Sequence, residues 1–107
     1  MSGISTHVLD TANGRPAARV PVTLERAEGN GWRAIGSGAT DDDGRLRTLL
    51  TVPPEEGIYR LTFDVSAYFP ASFFPSIAIA FRVSPGEEHC HVPLLLSPFG
   101  YSTYRGS

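Results

Sequence analysis

The sequence predicts an all-β protein, a sandwich of about eight short strands, and three observations carry that prediction. Apolar and polar residues alternate with a period of two through most of the chain, most clearly where Tyr59, Leu61, Phe63 and Val65 are interleaved with Ile58, Arg60, Thr62 and Asp64. Turn signals separate these runs, among them Asn13-Gly14, Asp43-Gly44, Pro53-Pro54 and Ser84-Pro85-Gly86. No long amphipathic helix fits between them. Pro70 and Pro75 lack the amide donor a helix interior needs and leave room for at most one very short helix.

Taken in order, Ile4 to Asp10 is the first strand, with Ile4, Thr6 and Val8 on one face and Ser5, His7 and Leu9 on the other. A polar turn through Asn13-Gly14 follows. Val20, Val22 and Leu24 alternate with Pro21, Thr23 and Glu25 in a half-buried strand, and Pro21, which cannot donate to a ladder, predicts an edge there. Glu28-Gly29-Asn30-Gly31 reads as a loose hairpin loop before a strand from Trp32 to Thr40, weakened by Gly36 and Gly38. Asp41-Asp42-Asp43-Gly44 lacks the alternating ligand spacing and distal glutamate of a calcium loop, so it reads as a turn. Arg45 and Arg47 then share one face of the next strand, opposite Leu46.

Beyond the Tyr59 strand, Ser66 is placed to cap one helical turn through Phe69. Ile77, Ile79, Phe81 and Val83 mark a further strand. The run Val92 to Leu96 reads as a buried strand, Ser97-Pro98-Phe99-Gly100 as a tight turn, and Tyr101 to Arg105 as a strand returning beside it.

Composition bounds the function. With 107 residues the chain is expected to form one domain that buries roughly two thirds of its unfolded surface. Nine Lys and Arg against eleven Asp and Glu leave a net charge of −2, which provides no basic field for nucleic acid or an acidic membrane. The single cysteine, Cys90, excludes an intrachain disulfide and fits a reducing compartment. The start Met-Ser-Gly-Ile-Ser-Thr-His has neither the basic region nor the apolar core of a signal peptide, and no apolar run approaches membrane-spanning length. A cytoplasmic location is the expectation.

Candidate chemistry gathers around the stretch His89 to Ser107. His89 and His91 point to the same face of their strand. Together with His7 they raise the question of a zinc site, but no Asp, Glu or Cys completes a shell, and Cys90 points the opposite way. The other reading is metal-free acid–base chemistry, in which a histidine near its ordinary pKa takes a proton from water and an arginine steadies oxygen charge. His7, His91 and Arg45 are the residues available for it, and nothing in their spacing alone brings them together.

Three segments carry a resemblance that goes further. Ser5-Thr6-His7-Val8-Leu9-Asp10 with Gly14-Arg15-Pro16-Ala17, then Thr40 to Arg45, then His91 to Ser107 with its closing Tyr-Arg-Gly-Ser, together resemble the transthyretin-like family, on the side of its 5-hydroxyisourate hydrolases. The likeness spans nearly the whole chain, and its last segment is the most specific part. It implies a sandwich of two four-stranded sheets, assembled as a homotetramer whose central channel holds the sites at a dimer–dimer interface. It implies His7, Arg45, His91 and Ser107 as catalytic residues, with His7, Arg45, Tyr104, Arg105 and Gly106 binding substrate and no metal or cofactor. His89 takes a less constrained position and stays outside the set. The implied reaction is hydrolytic ring opening of 5-hydroxyisourate by a histidine-activated water, with a non-catalytic carrier of a planar aromatic ligand as the rival. One departure is visible: the connection from Ser66 to Phe74 is shorter than the family's helix-bearing one.

Overall fold

The computed structural model describes residues 2–107, which form nine strands in two sheets. In chain order these are β1 (Gly3–Asp10), β2 (Arg15–Pro16), β3 (Pro21–Glu28), β4 (Gly31–Ala39), β5 (Arg45–Leu50), β6 (Gly57–Asp64), a 3₁₀ turn (Val65–Ala67), β7 (Ser76–Val83), β8 (His89–Ser97) and β9 (Gly100–Thr103). One sheet runs β4-β3-β6-β7, antiparallel throughout. In the other, β8 lies between β1, to which it is parallel, and β9, to which it is antiparallel. Both β5 and β2 pair with the remaining edge of β1, β5 through Ile4, Thr6 and His7 and β2 through Leu9 and Asp10. The expected two four-stranded sheets are therefore one of four strands and one of five, the second still four strands wide because β2 and β5 share an edge.

The extra strand comes from the turn after Asp10. The Asp10 carboxylate accepts hydrogen bonds from the Asn13 amide (2.9 Å) and the Asn13 side chain (2.8 Å), which doubles the chain back and lays Arg15–Pro16 against Leu9–Asp10. The same carboxylate accepts the Tyr68 hydroxyl at 2.7 Å and so ties the short 66–75 connection to the sheet that contains β1. Burial would raise the Asp10 pKa, but the bonds from Asn13, Tyr68 and the Ala12 amide outweigh it and hold the carboxyl below its ordinary 3.8. The folded state thus binds this proton less readily than the unfolded chain. Asp10 stabilises the fold above pH 3.8, and that contribution is lost as pH falls through the lower folded-state value. Asp10→Ala should cost about 1–3 kcal/mol at neutral pH, because the Tyr68 hydroxyl loses its acceptor, and the loss should shrink in acid; denaturant midpoints at the two pH values measure it.

The core follows the alternation. Ile4, Thr6 and Val8 of β1 face inward with Cys90, Val92, Leu94 and Leu96 of β8, against Leu24, Tyr59, Leu61, Phe63 and Ile77 of the facing sheet. Thr6 is tolerated in this apolar layer because its hydroxyl donates to the Val92 carbonyl at 2.6 Å. Each large side chain buried this way contributes roughly 1.5–3 kcal/mol.

Three local expectations are revised. The edge predicted from Pro21 is absent, since β3 lies between β4 and β6. Pro21 is its first residue and pairs only with Ala39, while pairing to β6 begins at Val22, so the missing donor costs little. The loop at Gly29-Asn30 is a tight two-residue hairpin in which Gly29 alone takes a positive φ (61°), the pattern of a type II′ turn. The 3₁₀ turn starts after Asp64 rather than at Ser66, and the Ser66 hydroxyl donates to the Asp64 carboxylate at 3.0 Å instead of capping.

Gly36 is not a weakness of β4 but a requirement. A Cβ there would lie 2.1 Å from the Leu49 carbonyl oxygen, where β4 closes against β5 and joins the two sheets at one side. Gly36→Val should destabilise the protein by about 2–3 kcal/mol in chemical denaturation, since backbone rather than a flexible side chain has to move. No helix among the described residues is long and apolar enough to cross a membrane.

Candidate active site

The site is built on the outer face of the five-stranded sheet, starting from the turn before β5. The Asp41 carboxylate accepts the amides of Asp43 and Arg45, both at 2.9 Å, and Gly44 completes the turn at φ +74° with its amide on the Asp41 carbonyl. These bonds, the Arg45 amide foremost, with the Arg47 and Arg45 charges, hold the Asp41 carboxyl below its ordinary range. The Gly44 carbonyl accepts the Val8 amide at 2.7 Å and docks the turn on β1. His7 and Arg45 thereby become direct neighbours in the ladder, and His7 Nε2 donates to the Asp43 carbonyl at 2.9 Å. The aspartate run is a scaffold for this corner.

On its other side β1 meets β8 in parallel, with Gly3 beside His89, Ser5 beside His91 and His7 beside Pro93. The period of two therefore puts Ser5, His7, His89 and His91 on one face, with His7 and His91 as diagonal neighbours. Ser5 is only 4% exposed although it lies on that outer face. Its hydroxyl is hydrogen-bonded to His91 Nδ1 at 2.8 Å and to His89 Nε2 at 3.3 Å. The two imidazoles stack with their centroids 6.4 Å apart.

A cavity of about 160 Å³ opens over this cluster, lined by Ser5, Thr6, Arg45, Arg47, His89, His91 and Ser107. Burial lowers the His91 pKa, and the neighbouring His89, His7, Arg45 and Arg47 lower it further, so its imidazole stays neutral at neutral pH. Two guanidinium groups and a neutral imidazole around one small cavity suit a planar, oxygen-rich anion or a carbonyl on which charge develops. Among the described residues no three His, Cys, Asp or Glu side chains are grouped to hold a metal ion. Burial pushes the Cys90 thiol above its ordinary pKa, with Glu87 adding to the effect, and Cys90 faces the core, so it is an inert packing residue.

The last residues reach the site by continuing alongside β8 in the register of β9. After β9 the Gly106 amide donates to the His91 carbonyl at 2.8 Å. A Cβ on Gly106 would lie 2.6 Å from His91 Cδ2 and 3.1 Å from Pro93 Cγ, so only glycine lets the backbone lie on the imidazole. Ser107 is carried into the cavity. Tyr104 and Arg105 are placed differently: they line a second cavity of about 340 Å³ at the sheet edge with Phe81, Arg82 and Cys90, and Arg105 pairs with Glu87. His91 borders both spaces.

Of the residues expected from sequence, Arg45, His91, Gly106 and Ser107 thus converge directly, and His7 joins them through the β1 ladder. Tyr104 and Arg105 sit behind His91, facing the second cavity. Ser5 and Arg47 are not among the residues expected from sequence, and His89, left outside the expected set, lines the cavity with them. For Ser5 the signal was present in the alternation, which puts it on the face of His7 two residues away.

The chain is 46% identical over 112 residues to a 5-hydroxyisourate hydrolase of Salmonella dublin, covering 97% of this chain and 80% of that one. Its structure is similar to that of Klebsiella pneumoniae 5-hydroxyisourate hydrolase, with a TM-score of 0.86, 40% identity and complete coverage of both chains. It is also similar to transthyretin from Sparus aurata, with a TM-score of 0.91, 31% identity, and coverage of 99% of this chain and 97% of that one. The model of the HIUase/Transthyretin family matches residues 4–106, and the chain belongs to that family.

Proposed function

We propose that this protein hydrolyses 5-hydroxyisourate, opening its six-membered ring to give 2-oxo-4-hydroxy-4-carboxy-5-ureidoimidazoline. The observation that carries the reading is the His91 imidazole, packed under Gly106 and facing a small cavity shared with Arg45 and Ser107. A site meant only to hold an apolar aromatic ligand has no use for two arginines and three histidines on one face. The names of its relatives point to the same chemistry.

In the mechanism, His7 and His91 position a water against a ring carbonyl. One imidazole takes a proton from the water as its oxygen bonds to the carbonyl carbon. Arg45 donates to the oxyanion that develops, and the ring carbon–nitrogen bond breaks as the departing nitrogen is protonated. Ser107 forms part of the pocket wall around the substrate, and Gly106 covers the His91 ring. The same reading includes a homotetramer, whose subunits would bring two outer faces together and exclude water from the cavity; gel filtration at a monomer's volume would rule that out.

The test follows the ultraviolet decay of 5-hydroxyisourate freshly generated from urate by a urate oxidase, with and without chelator. Because the compound also decays spontaneously, the quantity of interest is acceleration over that background. Chelator-insensitive acceleration is the expected result, and a folded protein that leaves the background rate unchanged would refute the reading.

A further inference from the structure

We infer that Ser5 is a positioning residue, and that a directed hydrogen-bond chain from His89 through Ser5 holds His91 in the tautomer with its proton on Nε2. The inference rests on the hydrolase reading for its catalytic meaning, but its geometric part stands independently.

A serine hydroxyl has one hydrogen to give and lone pairs to receive. Sitting 2.8 Å from His91 Nδ1 and 3.3 Å from His89 Nε2, the Ser5 oxygen can donate to one ring and accept from the other, so the chain runs in one of two directions. Two observations choose between them. His89 Nδ1 is buried and has no hydrogen-bond partner among the described residues. If Ser5 donated to His89 Nε2, a neutral His89 would carry its proton on Nδ1, leaving a buried N–H orphaned, which is the rarer kind of unsatisfied group. With the proton on Nε2 instead, His89 donates to Ser5 and only a lone pair at Nδ1 goes unused. The distances agree, because bonds donated by O–H are shorter than those donated by N–H, and the 2.8 Å contact is the one to His91.

Ser5 therefore donates to His91 Nδ1, and the His91 proton lies on Nε2. His7 has the same tautomer for a different reason: its Nε2 contacts the Asp43 carbonyl, which can only accept, so its lone pair is on Nδ1. The surroundings of the two rings divide their work. His7 Nδ1, a free acceptor, takes the proton of water. His91 Nε2–H, whose ring shares the cavity with Arg45, donates to the carbonyl oxygen as charge builds, a neutral imidazole acting as an electrophile. The atoms balance with His91 unchanged. Water loses its proton to His7, its oxygen bonds to the carbonyl carbon, and the carbon–nitrogen bond breaks. The proton on His7 Nδ1 then passes to the departing nitrogen.

The test combines kinetics with a spectrum. Long-range ¹⁵N–¹H correlation of the ligand-free full chain should show His91 with Nε2 protonated and Nδ1 bare, and Ser5→Ala should lose that single tautomer. In the same variant kcat should fall roughly 10- to 100-fold with KM nearly unchanged, short of the loss expected for an acid–base group itself. His89→Leu should behave like Ser5→Ala, whereas His89→Gln, which keeps an N–H for Ser5 to accept, should retain most of the wild-type rate. A wild-type spectrum with the His91 proton on Nδ1 would overturn the proposal even if Ser5→Ala failed to fold. So would a folded Ser5→Ala variant with an unchanged spectrum and full kcat. If the wild type fails to accelerate 5-hydroxyisourate decay, the hydrolase reading falls, and the spectrum still decides the tautomer.

Discussion

Removal of Tyr104–Ser107 should reduce hydrolysis of 5-hydroxyisourate to its spontaneous rate while leaving a folded β protein. The four residues contribute no side chain to the core, and β9 ends before them at Thr103. Their structural bonds are the Gly106 amide to the His91 carbonyl, about 1 kcal/mol of stability, and the exposed pair of Arg105 with Glu87, which adds little. Their effect on the site is larger. Gly106 covers the His91 ring at a distance no other residue could adopt, and Ser107 forms part of the cavity wall. Without them His91 is open to water, the burial that lowers its pKa is relieved, and a bound substrate loses one side of its pocket. Circular dichroism and a denaturation curve close to wild type, together with lost turnover, are the expected pair of results. Turnover retained by the truncated chain would remove this segment from the mechanism.

Replacing either histidine with asparagine should be nearly as damaging, and the two need not be equal. His7→Asn has no basic nitrogen, and its amide overlays Nδ1 rather than the Nε2 that holds the Asp43 carbonyl, so kcat should fall about 10²–10⁴-fold, the range for loss of a general base. His91→Asn reaches only the Nδ1 position and loses the Nε2–H donor to the carbonyl oxygen, so its loss should lie nearer the 10²–10³-fold typical of one oxyanion donor. If the rings act on one water as a unit, the double variant should be little worse than His7→Asn alone. Single-turnover rates over the spontaneous background give all three numbers, and wild-type kcat in His7→Asn would remove His7 as the base.

Much of this was legible because a strand's side-chain period is two and needs only local sequence to read. The inward row Ile4, Thr6, Val8 and the row Val92, Leu94, Leu96 follow directly from the pattern, as do the turns at Asp43-Gly44 and Pro98-Phe99. Less legible was how local features are used by distant chain. Gly36 looked like a weak point in a strand, yet it is where the Leu49 carbonyl needs room. Pro21 suggested an edge, but only the position of β6 shows which of its neighbours is unpaired.

For the site, the alternation put His7 opposite the core and His89 with His91 on one face, and the resemblance of the closing segment brought the two groups into one family pattern. What the sequence by itself determined is the set of strands, their faces and the chemical inventory, because these depend on residues within a few positions of one another. The tertiary structure alone decided that β1 runs parallel to β8, which sets Ser5 against His91 some 86 residues away, and that Arg45 lies beside His7. It also separated Gly106, which packs on His91, and Ser107, which lines the cavity, from Tyr104 and Arg105, which turn to the sheet edge. Register between distant strands is chosen by the packing of the whole inner face, since a slip of one residue would turn every buried side chain outward, and that choice cannot be read from either strand alone.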